Sequence, residues 1–196
     1  EILRCLVGSE MCIRDSEDTF KRLEEIIAES SKEIGAWEFR QLPYEHPKIY
    51  DPVTGITSWM SGAAFAVRRE IFEKLQGFDK NIFMYAEDVD FSWRLRASDY
   101  KIKYCPTVKI MHYSYESIGA VKPAQYVNSL INNLLLRYRF GSFSDVMRGY
   151  FQFAIVFFLH RAPYPGAKKQ LLQAFAAHFS CISSFNNKSY ARAQVG

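Results

Sequence analysis

The sequence predicts an α/β chain: a mixed sheet with flanking helices, followed by a C-terminal helical extension. Three observations carry this. Strand-like apolar runs at residues 34–39, 57–67, 100–104 and 108–111 alternate with helix-spaced patterns at 18–30, 69–75 and 89–97. Gly and Pro punctuate the boundaries between them. Beyond Pro123 the pattern changes to three consecutive helical stretches, 124–140, 144–160 and 168–179.

Each element has a local reason. Phe20, Leu23, Ile26 and Ile27 have helical spacing, with Asp18 or Thr19 available as the cap. Pro43, Pro47, Pro52 and Gly55 make 42–55 a loop. The run 57–67 reads as one buried strand, in which Gly62 permits close backbone approach. A short helix over 69–75 ends near Gly77. The helix over 89–97 carries Glu87, Asp88 and Asp90 around its start, where the helix dipole favours anions. Pro106 divides the strand 100–104 from 108–111, and Pro123 opens a long amphipathic helix ended by Gly141. The ten-residue run 150–159 is apolar almost throughout. It is shorter than the ~20 residues a bilayer span needs, so it reads as a core helix or as an interfacial one flanked by Arg148 and Arg161.

Charge is unevenly distributed. Residues 115–196 hold nine Lys/Arg against only Glu116 and Asp145, among many Phe and Tyr. Such a surface suits phosphate-bearing partners: an anionic membrane face, a lipid-phosphate acceptor or nucleic acid. A helical subdomain with solvated basic edges is the plainer reading. No nucleic-acid-binding motif accompanies the charge, so nucleic acid is not an expected partner. Outside the first 16 residues the only cysteines are Cys105 and Cys181, spaced for neither a disulfide framework nor a zinc site. Isolated thiols suit a reducing cytoplasm.

The most informative stretch is 61–96, SGAAFAVRREIFEKLQGFDKNIFMYAEDVDFSWRLR. Three carboxylates crowded at one helix start require a cation or a chemical task. With Trp59, Ser61-Gly62-Ala63, Arg68-Arg69, Gly77-Phe78-Asp79, Phe83-Met84-Tyr85, Glu87-Asp88-Val89-Asp90, Trp93-Arg94, Tyr100, Tyr104, Pro106 and His112, the segment 17–141 resembles the acceptor half of family 2 glycosyltransferases. These have the GT-A (Rossmann-like) fold, and the resemblance is to the bacterial rhamnosyltransferase-like kind.

The resemblance implies transfer from a nucleotide-sugar donor to a cell-surface glycan or lipid-linked acceptor, with inversion at the anomeric carbon. Asp88 would be the general base, and Glu87 would orient a neighbouring group or touch the acceptor. Trp59, Ser61 and Gly62 would meet substrate, Trp59 as a platform for a sugar's apolar face or else as a core residue. Asp90 would hold the helix start or a basic partner such as Arg94. Arg94 would pair with a carboxylate or with phosphate. Trp93 reads as core. Arg68 and Arg69 would help neutralise diphosphate or mark an exposed strand end. His112 would ligate a divalent metal (Mg or Mn) or be a hydrogen-bonded strand-end histidine. Asp88-Val89-Asp90 is read as the base motif and not as the family's separate metal-binding Asp-x-Asp, whose main ligands are expected upstream. The implied location is cytoplasmic, at the inner face of the plasma membrane, with peripheral contact through 123–196. Two departures from the family pattern stand out. Gln76 occupies a position where a second glycine is frequent, and Ser98-Asp99 a position where glycine precedes the tyrosine; Asp tolerates the left-handed conformation better than most residues. A glycan- or nucleotide-sugar-binding module without catalysis is the alternative reading.

Residues 5–16, CLVGSEMCIRDS, are similar to the translation of a transposase adapter used in sequencing libraries, a real N-terminal strand with two cysteines being the alternative. Residues 1–16 are therefore set aside from fold reasoning, leaving 17–122 as the acceptor-side part of a catalytic domain and 123–196 as the helical extension. On this reading the native protein continues upstream, and the fragment alone is inactive.

Overall fold

The computed structural model describes residues 2–4, 13–15, 19–43, 45, 48–112 and 122–185. The adapter-like residues 5–12 and 16, the candidate cap Asp18 and the tail 186–196 lie outside the described residues. The elements run β1 (Ile2–Arg4), β2 (Ile13–Asp15), α1 (Thr19–Glu29), β3 (Ile34–Leu42), β4 (Ile56–Thr57), β5 (Phe65–Arg68), α2 (Arg69–Lys74), α3 (Glu87–Ala97), β6 (Lys101–His112), α4 (Pro123–Phe140), α5 (Phe143–Leu159) and α6 (Ala167–Phe185). The expected class, a mixed α/β sheet with flanking helices and then a helical stretch, is the one observed. The six strands are ordered β1-β5-β3-β6-β2, with β4 also on β6. Among the described residues only the β3–β6 pair is parallel. Strands β1 and β2, at the two ends of this order, come from the segment the sequence reading had set aside.

By their contacts the residues form two compact units: Glu1–Gly77 with Phe91–Ile118 and Val195–Gly196, and Phe78–Asp90 with Gly119–Gln194. In the first, β3 is paired on both edges, and residues 34–39 are all buried. Its apolar core gathers Leu23, Ile34, Trp37, Phe39, Ala66, Val108 and Ile110, with Ile26 and Ile27 of α1 packed against it. Trp37 keeps its one polar atom satisfied, Nε1 donating to Ser30 Oγ at 3.0 Å.

Two strand expectations are corrected. The run 57–67 is not one strand: β4 and β5 flank an irregular segment, 58–64. The amides there bond elsewhere than to a ladder. Met60 N–H donates to Ser92 Oγ (3.1 Å) and Ser61 N–H to the Glu38 carboxylate (2.9 Å). Conversely, Pro106 does not divide the later strand. β6 continues from Lys101 to His112 and absorbs the missing N–H as a register shift between the Phe39–Cys105 and Arg40–Lys109 pairs.

In the second unit, Ser142 caps α5 in a capping box with Asp145. The Phe153 and Phe175 rings stack with centroids 4.4 Å apart, joining α5 to α6. Of α5, only Gly149 and Phe153 are buried, which goes against the core-helix reading of 150–159 and leaves the interfacial one.

Both departures from the family pattern prove to be helix C-caps. After α2, Gln76 N–H donates to Glu73 O (3.0 Å) and Gly77 N–H to Phe72 O (2.9 Å). After α3, Asp99 N–H donates to Arg96 O (3.0 Å) and Tyr100 N–H to Leu95 O (3.3 Å). Each is a Schellman motif, and its left-handed position is filled by Gln76 (φ 60°) and Asp99 (φ 64°) where glycine is the usual choice. Gln76→Gly and Asp99→Gly are each expected to raise unfolding stability by ~0.5–1 kcal/mol, additively, since the left-handed strain removed exceeds the entropy that glycine adds. Urea denaturation of the single and double variants measures this.

Candidate active site

The acidic helix start belongs to the second unit, and its geometry begins one turn before it. Met84, Tyr85 and Ala86 are consecutive non-glycine residues with positive φ (54°, 67° and 76°). Such an arch is costly and persists only where its surroundings over-determine it. The restraint comes from α4. Asn132 Nδ2 donates to Met84 O (3.1 Å) and Tyr85 O (2.6 Å), and Asn128, one turn earlier, reaches Phe83 O at 3.5 Å. Two turns after Asn132, Arg139 forks between two buried carboxylates, Nη2 to Asp79 Oδ2 (2.5 Å) and Nη1 to Asp90 Oδ1. Asp79 Oδ1 in turn accepts from the Asn81 backbone and side chain, both at 2.9 Å.

The three carboxylates therefore have three different fates. Asp90 is buried and neutralised by Arg139. Asp88 is half-buried, its Oδ1 accepting from Val89 N–H at 2.8 Å. Glu87 has a buried Oε2 with no hydrogen-bond partner among the described residues. Burial, and then the neighbouring Asp88 charge, raises its pKa from 4.5 to about 6. A carboxylic acid tuned toward neutrality beside an accessible carboxylate suits proton-transfer chemistry.

The other expected site residues lie in the first unit. Trp59 is half-buried with Lys48 Nζ 3.7 Å from its ring centroid, so a cation lies against one ring face. Ser61 is buried, Gly62 half-buried. The segment is anchored by Glu38, a buried carboxylate in β3 that pairs with Lys48 and accepts the Ser61 N–H. The Arg94 guanidinium donates to Leu75 O and Gly77 O, both at 2.7 Å, tying α3 to the end of α2. Asp90 and Arg94 are both buried.

His112 is also buried, with Nδ1 2.8 Å from Gln41 Oε1. An amide oxygen that fixes Nδ1 would direct Nε2 toward a metal. Among the described residues, however, no group of three His, Cys, Asp or Glu side chains could hold a metal ion. The described residues do not by themselves fit a divalent cation.

Sequence reasoning missed Glu38, Lys48, Asp79, Asn132 and Arg139. Glu38 had a signal, a charge inside the apolar run Ile34-Gly35-Ala36-Trp37-Glu38-Phe39. Asn132 and Arg139 had none, because their partners are 47–60 residues away in sequence.

Comparison with known proteins adds the following. The chain is 36% identical over 69 residues, 35% of its length, to the N-acetylglucosaminyl-diphospho-decaprenol L-rhamnosyltransferase of Mycobacterium tuberculosis. It is 33% identical over 60 residues to the rhamnosyltransferase WbbL of Escherichia coli K12. Over these stretches the chain is similar to rhamnosyltransferases. The resemblance read from the motifs is thus borne out. The matches span 22% and 23% of those relatives, under a quarter of either length. No family model matches the chain. A mannosyltransferase structure from Pyrobaculum calidifontis, in complex with GDP-Man and Mn2+, aligns over 91% of this chain and 54% of its own. At 16% identity and a TM-score of 0.43 that likeness carries no argument about the site.

Replacing Arg139 by Met leaves two buried carboxylates facing each other without their cation. The expected loss is ~3–5 kcal/mol of stability by urea denaturation. For Glu87, the folded-state pKa lies above the unfolded value, so its stabilising protonation is complete below pH 4.5 and lost as pH rises through about 6. Glu87→Gln should accordingly be more stable than the parent at pH 8, with the advantage vanishing below pH 4.5. Paired denaturation curves at the two pH values measure the difference.

Proposed function

We propose that this chain is the acceptor-side part of an inverting glycosyltransferase with a GT-A fold. It moves a sugar from a nucleotide-sugar donor to a hydroxyl of a cell-surface glycan or lipid-linked acceptor, at the cytoplasmic face of the membrane. One observation carries the reading: Asp88 stays half-exposed at a helix start while Asp90 is neutralised and Glu87 is tuned upward. That division of labour among neighbouring carboxylates is what a general base requires. Named rhamnosyltransferases among the relatives support the reaction class and make a rhamnosyl donor the first to test.

In this chemistry the Asp88 carboxylate accepts the proton of the acceptor hydroxyl as its oxygen attacks the anomeric carbon. A new C–O bond forms on one face. The bond to the nucleoside diphosphate breaks on the other and its electron pair leaves with the diphosphate, so the anomeric configuration inverts. Asp88 then releases its proton to water. Glu87 orients the acceptor beside it, and the arch fastened by Asn132 fixes where both carboxylates begin. A divalent cation is implied by the resemblance, and the described residues assemble no ligand set for it.

Asp88→Asn in the intact protein is expected to lower turnover by ~10²–10⁴-fold while nucleotide-sugar affinity, read by calorimetry, is unchanged. Unaltered turnover would remove Asp88 as the base. A parent protein that binds donor and never consumes it would support the non-catalytic module.

A further inference from the structure

The face of α5 opposite its buried residues is a second feature, and it does not depend on the transferase reading. Phe143, Met147, Phe151 and Phe158 are 80%, 51%, 68% and 73% exposed. At about 100° per residue they fall within roughly 80° of one another on the helix. Gly149 and Phe153, the buried pair, lie on the far side. The result is an aromatic stripe running along a 17-residue helix, about 25 Å. Isolated exposed apolar residues need no explanation, but a continuous stripe of this kind marks a docking surface.

The surrounding charge identifies the partner. Within residues 122–185 the only acidic side chain is Asp145, and it is engaged in the Ser142 cap. Of the basic residues, Arg137 and Arg139 are held by internal hydrogen bonds. Arg148, Arg161 and Lys169 are exposed, Arg148 with its Nη1 3.6 Å from Asp145 Oδ1. Lys168 Nζ lies 5.9 Å from the Phe157 ring, which itself meets Phe158 edge-on at 5.1 Å, placing a cation beside the stripe. An apolar face bordered by cations and lacking acids complements an anionic phospholipid surface: aromatic groups enter the headgroup boundary and Lys and Arg meet the phosphates. No helix among the described residues is long and apolar enough to cross a membrane, so α5 would lie in the interface plane.

We propose that α5 docks this chain onto anionic membranes through Phe143, Met147, Phe151 and Phe158, with Arg148, Arg161, Lys168 and Lys169 as its phosphate contacts. Flotation with vesicles of equal parts phosphatidylglycerol and phosphatidylcholine is the test. The parent chain is expected to float with them, and to do so less as salt is raised. Phe151→Ser/Phe158→Ser should cut the bound fraction roughly tenfold, with circular dichroism and the melting curve unchanged because both side chains are exposed. Arg148→Gln/Lys169→Gln, which leaves the stripe intact, should weaken binding and flatten its salt dependence. A parent that stays at the bottom of the gradient overturns the proposal, as does equal flotation of the Phe variant or equal binding to phosphatidylcholine alone. A dimer in light scattering that the Phe variant dissolves would make a second copy the occupant and overturn it too.

Discussion

The second unit depends on one guanidinium. Arg139 is buried between Asp79 and Asp90, two carboxylates that could not be enclosed together otherwise. A planar fork suits this in a way a lysine ammonium does not, since it presents separate N–H groups to separate oxygens. With Asp90 compensated from α4, the helix start carries two further acids without accumulating unbalanced buried charge. The same helix, through Asn132, grips the carbonyls of the arch that precedes them. Helix α4 therefore holds the arch from which Glu87 and Asp88 follow.

Backbone strain is distributed according to purpose. At Gln76 and Asp99 a left-handed residue closes a helix and satisfies carbonyls that the helix leaves open. Those positions would accept glycine readily. At Met84, Tyr85 and Ala86 three such residues follow one another with no helix to terminate. The Met84 and Tyr85 carbonyls accept from Asn132 instead, and Ala86 O accepts the Asp90 N–H at 2.9 Å. The first case is a local economy of the chain; the second is geometry imposed on the segment that delivers the acidic pair.

A related principle operates in the first unit. Glu38 sits in the middle of β3, where a charge would ordinarily be excluded, and is enclosed with Lys48 and the Ser61 amide. Lys48 in turn lies over Trp59. The irregular segment 58–64 thus takes its shape from a buried ion pair and from Ser92, not from a sheet ladder. This is why an apolar run that looks like one strand is broken into two short ones.

The amino-acid sequence alone determined the alternation of strands and helices, the position of the acidic helix start, the helical character of 123–185 and the resemblance to rhamnosyltransferases. These follow from periodicity, turn residues and local motif spacing, which operate over a few residues. It also marked Gln76 and Asp99 as unusual, though not that both are C-caps. Only the tertiary structure decided that Asp90 pairs with Arg139, that Pro106 is absorbed within one strand, that Trp59 carries Lys48, and that α5 turns its aromatics outward. Each of these depends on which distant residue is brought alongside. A buried charge takes whichever partner the packing supplies, and an apolar helix is covered only where another element reaches it; neither choice is encoded in the spacing of neighbours along the chain.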